Sequence, residues 1–508
     1  MIRLQMFLLS LLNGRLGMVN DNLAYQLASA PELEIMVDES PIKWCSVTLS
    51  EVVEKGKRLE ASVYDVEAKQ AYVRVKNGIY PSVNLIGANS PVQKAHYGGR
   101  LKRNYVEKNS ENAIGFIGSS EMLDVSPQPI KFMVDDERVS NLHVKKGTVL
   151  ISRSGTIGNM SFVNETLEKF LISEHAMRLE CNSYPGYVYA YLKTKTGQAL
   201  IRSNIYGSVI QQIEPEHLAS IPIPDAPNEI QSKIDSLIVQ SYTLRDESNA
   251  LIKKATQLLV DELQLPAIED FDIDYLKKGA SVETFAVKLS DMGHRLDASY
   301  HHPLADVIVS HLKKYAAEVT TIGDERISKQ IILAGVFKRT YVEEEYGYPF
   351  LGGKEITQLN PKTNKFLSKL IHKQRFEKEL KVTENTILVT DRGTVGTTAL
   401  VPKHWEGYAV SQNVLKLIPE SKNIAGYIYV FLNSAWGNEL VHRQTYGSVV
   451  DMIDNNSLSC VEIPLLRNHD VQEKINALAL EANKKRYEAY KLEQEALEIM
   501  DKEVIYAK

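Results

Sequence analysis

The chain has 508 residues, 44 % of them hydrophobic and 24 % charged, with a formal net charge of −5. This is ordinary globular composition with room for three or four domains, and it excludes a polybasic chain that binds nucleic acid over its whole surface; any such contact has to come from local basic patches. Three scattered cysteines, Cys45, Cys181 and Cys460, exclude a disulfide framework or zinc cluster and fit a reducing cytoplasm, the expected location.

Residues 1–43 read as an N-terminal extension. Met1-Ile2-Arg3 followed by Phe7 to Leu12 has a faint signal-peptide character, but Asn13 and Arg15 interrupt the short apolar run and no small-residue cleavage site follows. The extension is expected to be helical, or to lie upstream of the true initiator with Met18 as the alternative. No stretch approaches the 18 or so apolar residues of a membrane span.

An ordered series of motifs then begins. Val47-Thr48-Leu49-Ser50-Glu51 leads to Arg58-Leu59-Glu60-Ala61-Ser62, and a basic, aromatic segment follows at Lys102-Arg103-Asn104-Tyr105. Apolar strands are predicted at 114–118 and 147–152, the second entering the turn Gly155-Thr156-Ile157-Gly158 and leaving through Ser161-Phe162-Val163. Another strand opens at Ile172-Ser173, and Tyr187 to Leu200 has helical spacing. Tyr206-Gly207-Ser208-Val209 and the apolar-proline step Leu218 to Pro224 complete the series. A long helix is expected over 228–265, stopping before Pro266. Its apolar or small residues recur at Ile230, Ile234, Leu237, Leu244, Leu251, Ala255 and Leu258, with Ser241 and Ser248 as polar breaks in a heptad register.

About 238 residues on, the series repeats. Val287-Lys288-Leu289-Ser290-Asp291 and Arg295-Leu296-Asp297-Ala298-Ser299 open it; Lys338-Arg339-Thr340-Tyr341, Gly393-Thr394-Val395-Gly396, a helix over Tyr427 to Leu440, and Tyr446-Gly447-Ser448-Val449 follow in order. A second long helix carries Val471, Ile475, Leu478, Ala482, Ala489, Leu492, Ala496 and Ile499 in the same register, interrupted by Lys485. A repeat this long is a duplicated domain rather than a solenoid unit. The expected organisation is α+β: a domain over 44–227, a spacer helix over 228–265, a linker over 266–285, a second domain over 286–467 and a second spacer helix over 468–505. The two helices, each with one narrow seam, are expected to pair as an antiparallel coiled coil. The bland alternative is that each folds back along its own domain.

Catalytic motifs are missing across classes: there is no phosphate loop, dinucleotide fingerprint, His-Glu-x-x-His, nucleophile elbow or Cys-x-x-Cys. His294, His301 and His302 are expected at the surface rather than around a metal. What remains is basic and polar. Arg100, Lys102 and Arg103 cluster in the first half; the second has Lys338 and Arg339, and seven Lys/Arg between Lys362 and Lys381, among them Lys373 and Arg375. Such density supplies phosphate attraction, although a charge run is most often a solvated face. Each glycine turn admits two readings, a tight strand reversal or a backbone cradle for phosphate, with Thr156 or Thr394 and the neighbouring Arg153 or Arg392 adding donors. Those arginines do not align: Arg153 matches Asp391, and Ser154 matches Arg392. Tyr206, Ser208, Tyr446 and Ser448 fit either packed turns or contact loops.

Together, Ser152 to Gly158, the Tyr-Gly-Ser-Val loop and Leu218 to Pro224 before a helix, all recurring in the second half, resemble the specificity subunit of type I restriction-modification systems. The resemblance covers about residues 44–505 and is looser in the second half, where Glu462 replaces the first proline of the pair. It implies two target recognition domains, each followed by a spacer helix, in a non-catalytic reader of a bipartite DNA sequence. It also implies two methyltransferase (modification) subunits and motor-nuclease restriction subunits as partners, which would bring S-adenosylmethionine and ATP-Mg; this chain itself would carry no cofactor. Two other classes remain open: a tandem scaffold for carbohydrate or protein, and a single-chain restriction or methyltransferase enzyme with divergent motifs.

Overall fold

The computed structural model describes residues 45–54, 57–207, 211–271, 285–293, 295–361 and 363–507. The N-terminal extension, His294, Lys362 and Ser208 of the expectations above lie outside the described residues. The chain divides into two compact units. Of the described residues, the first comprises those up to Leu123, those of Pro127–Gln240 and those from Leu492 onward; the second comprises Asp124–Ser126 and those of Ser241–Lys491. Mixed strands and helices make up both, as the α+β expectation requires.

In the first half, β1 (Val92–His96), β2 (Val149–Ser152), β3 (Met160–Phe162) and β4 (Ala176–Cys181) form an antiparallel sheet in the order β1-β4-β2-β3. In the second, β5 (Ser328–Ile332), β6 (Ile387–Thr390), β7 (Thr398–Leu400) and β8 (Val414–Pro419) take the order β5-β8-β6-β7, the same topology. A smaller sheet accompanies each. In the first half it is built on Ala113–Ile117 between Lys131–Val134 and Leu171–Ile172; in the second, on Gly347–Leu351 between Phe366–Ser368 and Ala409–Val410. The central strands β2 and β6 are buried on both faces, which explains their unbroken apolar runs.

The helical spacing over Tyr187 to Leu200 is realised as two helices, Pro185–Lys193 and Lys195–Ser203, and the second half likewise has Lys422–Leu432 and Ala435–Arg443. Thr194 and Ser434 break the helices by adopting extended backbone and capping the next one, accepting from Gly197 N at 3.1 Å and Gly437 N at 3.2 Å. Only glycine fits after these corners: a Cβ at Gly437 would lie 2.0 Å from Phe431 O, and one at Gly197 2.3 Å from Tyr191 O.

The long helices are α1 (Asn228–Leu263) and α2 (His469–Ile499), with a π-helical turn over Met500–Ile505. α1 ends where Gln264 turns left-handed, at φ 48°, two residues before Pro266. Within the second unit the helices run antiparallel. Ser241 Oγ donates to Ala489 O at 2.6 Å, Lys485 pairs with Glu247 at 2.6 Å, and Arg486 Nε donates to Ser248 Oγ at 3.4 Å. Position rises along one helix as it falls along the other.

The seam is heptad-spaced, but half of its positions differ by one residue from the expectation. In α1 the buried stripe is Ile234, Ile238, Ser241, Arg245, Ser248, Ile252, Ala255 and Leu259; in α2 it is Ile475, Ala479, Ala482, Arg486, Ala489, Glu493, Ala496 and, in the π-turn, Met500. Leu237, Leu244, Leu251 and Leu258 flank the stripe and are only half-buried. Arg245, Arg486 and Glu493 are the cause. Charged residues inside the seam hide one of its two alternating positions from an apolar pattern, so the flanking leucines carry the apparent periodicity. Each burial has a partner: Arg245 lies over the Tyr242 ring at 3.9 Å, and Glu493 accepts from Tyr189 Oη at 2.7 Å and from Lys193.

Candidate nucleic-acid interface

In each half, four motifs that are far apart in sequence meet at the end of the main sheet where β2 or β6 exits. The Lys-Arg-x-Tyr segment is the first. Arg103 donates to Glu174 at 2.6 Å and lies 5.2 Å over the Phe116 ring; Arg339 donates to Gln412 at 2.5 Å and lies 5.3 Å over the Phe350 ring. Tyr105 and Tyr341 pack against the same rings, at 6.2 Å and 6.1 Å, yet remain 43 % and 42 % exposed. Two half-exposed tyrosines, each beside an anchored arginine and an exposed lysine (Lys102 or Lys338), give both halves one cationic, aromatic surface.

Glu174 and Gln412 belong to short loops whose next residues, His175 and Asn413, accept from the backbone N–H of Arg153 and Asp391. Burial pushes the Glu174 carboxyl up, but its backbone hydrogen bond and the Arg103 charge outweigh that and hold it below the usual carboxylate range. The glycine turn starts at this point. Gly155 and Gly158 take φ of 75° and 86°, and Gly393 and Gly396 both take 82°, so the strand-reversal role assigned to these glycines is present. Ser152 Oγ donates to Thr156 O at 2.5 Å and Thr390 Oγ1 donates to Thr394 O, which closes each turn and leaves Thr156 and Thr394 exposed at its tip.

The Tyr-Gly-Ser loop closes against the turn. Tyr206 exchanges backbone hydrogen bonds with Gln212, and Tyr446 with Met452; Ser154 and Arg392 bridge the same two residues, Gln212 and Met452. Ser448 is exposed, and Val449 beside it is 93 % exposed. Arg58 and Arg295, which sequence reasoning noticed as repeated letters without giving them a role, hold the residue before each tyrosine. Arg58 Nη2 donates to Ile205 O at 2.7 Å, and Arg295 Nη2 donates to Thr445 O. The recurrence of Arg-Leu-Glu/Asp-Ala-Ser was the available signal.

The two halves differ in the side chains of the turn itself. Arg153 is 4 % exposed, pairs with Glu214, donates to Gln212 Oε1 at 3.2 Å and lies 3.9 Å over the Tyr97 ring. Tyr206 Oη also donates to Glu214, at 2.6 Å. Burial raises the Glu214 carboxyl, and hydrogen bonds from Tyr206 and Tyr97 together with the Arg153 charge lower it further, to below its ordinary range. Beside Arg153, Ser154 Oγ meets His175 Nδ1 at 2.7 Å. In the second half the inner place holds Asp391, 1 % exposed, and the outer place holds Arg392, whose side chain is 43 % exposed. Tyr446 Oη reaches Asp454 at 3.5 Å.

The second half's other basic stretch joins this surface. His372 Nε2 accepts from Thr340 N at 3.1 Å, and Arg375 donates to Gly335 O at 3.2 Å and lies 5.0 Å over the Phe337 ring. The helix Lys369–Arg375, with Lys373 exposed, is thereby pinned beside Lys338 and Arg339. Arg375 also pairs with Glu379 at 2.7 Å. Arg100 is exposed on the segment leading to Lys102. His301 bonds Arg295 O at 2.8 Å and His302 caps the helix Pro303–Tyr315. Among the described residues no group of three or more His, Cys, Asp or Glu could hold a metal ion, and no helix is long and apolar enough to cross a membrane.

A profile of the family described as type I restriction modification DNA specificity domain matches residues 41–255 and 333–485. No curated protein matched in sequence. Among solved structures, the type I restriction-modification system S subunit from M. genitalium aligns at 12 % identity and a TM-score of 0.33, covering 84 % of this chain and 95 % of that one. The HsdS subunit from Thermoanaerobacter tengcongensis aligns at 14 % identity and a TM-score of 0.26, covering 84 % and 98 %.

Proposed function

Because this chain belongs to the type I restriction-modification DNA specificity domain family, we propose that it is the non-catalytic subunit that reads a bipartite duplex sequence, one part by each half. The observation that carries this reading is the meeting of the Lys-Arg-x-Tyr segment, the glycine turn and the Tyr-Gly-Ser loop at the same end of the same sheet in both halves. Exposed lysines there supply phosphate attraction, half-exposed tyrosines supply flat apolar contact, and the turn side chains supply directional donors.

Methyl transfer and ATP hydrolysis then belong to two modification subunits and to restriction subunits that assemble with the chain, with S-adenosylmethionine and ATP-Mg bound by those partners. The antiparallel helices act as a ruler for the unread gap: α1 has 36 residues, about 54 Å at 1.5 Å per residue. One extra heptad in each helix, roughly 10 Å, is expected to widen the gap by about three base pairs. The test is to map methylated positions made by the assembled complex with and without the insertion. An unchanged gap would refute the ruler, and a target with a single uninterrupted recognition sequence would refute bipartite reading.

A further inference from the structure

We propose that Arg392, held by the buried Asp391, reads a guanine in the half-site contacted by the second half, and that the matching place in the first half holds no equivalent reader. This rests on the DNA-reading function proposed above. Arg392 Nε and Nη2 both donate to Asp391 Oδ2, at 3.0 Å and 2.8 Å. One edge of the guanidinium is thus committed, and the end-on fork of Nη1 and the second Nη2 hydrogen is left over. That fork matches the O6 and N7 acceptors of guanine in the major groove.

The buttress is itself fixed. Asp391 N donates to Asn413 O at 3.2 Å, and Asp391 O accepts from Ile453 N at 2.9 Å, so the backbone that carries the carboxylate is anchored to both neighbouring loops. Burial raises the Asp391 carboxyl, while the hydrogen bond and charge of Arg392 act the other way.

The carboxylate decides between two roles for Arg392. An arginine that only attracts phosphate is weakened by a carboxylate 2.8 Å away, because the pair has no net charge to offer the backbone. An arginine that must present its fork in one orientation is improved by the same carboxylate, which removes rotamer freedom before binding. Lys102 and Lys338, exposed on the adjoining segment, are suited to the phosphate role instead. In the first half the arrangement is inverted. The arginine sits at the inner place, Arg153, buried against Glu214 and Tyr97, and the outer place holds Ser154 bonded to His175. A serine–histidine pair offers no bidentate fork, so the base at the equivalent place of the first half-site is read differently.

The experiment is selection from a library of randomised duplexes by the complex of the full chain with its modification subunits. It compares wild type with Arg392→Ala, Arg392→Lys and Asp391→Asn, each checked for an unchanged melting profile. Wild type is expected to select a guanine that Arg392→Ala and Arg392→Lys lose, with discrimination at that one position falling roughly ten- to a hundredfold and the first half-site intact. Asp391→Asn, which keeps the shape and removes the charge, is expected to lose part of the same preference. Should Arg392→Ala weaken all sequences equally while every selected base persists, Arg392 is a phosphate contact and the proposal is overturned. A wild-type complex that selects no sequence overturns the DNA-reading function, and this proposal with it.

Discussion

Arg178 in β4 and Lys416 in β8 occupy matching places in the two main sheets, and both are almost fully buried. Arg178 satisfies four carbonyls, those of Leu142, Ile172, Ser173 and Ala176. Lys416 donates to one, Lys381 O at 2.8 Å. At the turn a few residues away, the inner and outer side chains exchange roles, Arg153-Ser154 against Asp391-Arg392. The backbone around the turn is nonetheless shared by both halves: the same order in the main sheet, positive φ at Gly155, Gly158 and Gly207 matched by Gly393, Gly396 and Gly447, and the same Arg-over-Phe and Tyr-against-Phe packing. A duplicated framework has kept the contacts that hold its loops in place and changed the side chains those loops present.

That contrast can be broken at its core. Arg178→Lys puts the second half's residue into the first half, where an ammonium cannot reach all four carbonyls. We expect a loss of about 2–4 kcal/mol, from buried acceptors left unpaired, measured by denaturant unfolding. An unchanged midpoint would mean that the two buried cations are interchangeable and the halves less different than drawn.

A pH series sharpens the same pair. Burial pushes the Arg178 guanidinium down to about 10, whereas it pushes the Lys416 ammonium down to about 8. The unfolded chain holds that proton up to about 10.4. Between these values the unfolded state binds more protons, so stability rises with pH. The contribution is complete above the unfolded value and is lost as pH falls through about 8. Its size is up to about 3 kcal/mol, and Lys416→Met is expected to flatten that part of the stability profile. A profile with the same slope in the variant would show that Lys416 does not titrate in this window.

The smallest effect is expected where the halves are alike. Lys102→Ala and Lys338→Ala each remove one exposed charge, weakening binding to all duplexes similarly and reducing the salt slope by about 1. A change in the selected sequence instead would make either lysine a base reader.

Much of this was legible in the letters because glycine and buried strands leave strong marks. The Gly-Thr-x-Gly and Tyr-Gly-Ser motifs stood out since their glycines need positive φ, and β2 and β6 stood out as unbroken apolar runs. The rest was hidden where a polar residue is buried. Arg153 has the same letter as an exposed binder but is enclosed by Glu214 and Tyr97. Arg245, Arg486 and Glu493 concealed the true seam, and Arg58 and Arg295 act on carbonyls 147 and 150 residues away. Spacing reports periodicity; it does not report which charges have found a partner.

The claim on which the account depends is that the two halves are separate readers built on one framework. Replacing residues 44–227 by the corresponding domain of another family member, and mapping the positions methylated by the assembled complex, tests it most directly. The account predicts that one part of the recognised sequence changes while the other part and the gap stay the same. Changes in both parts would contradict it.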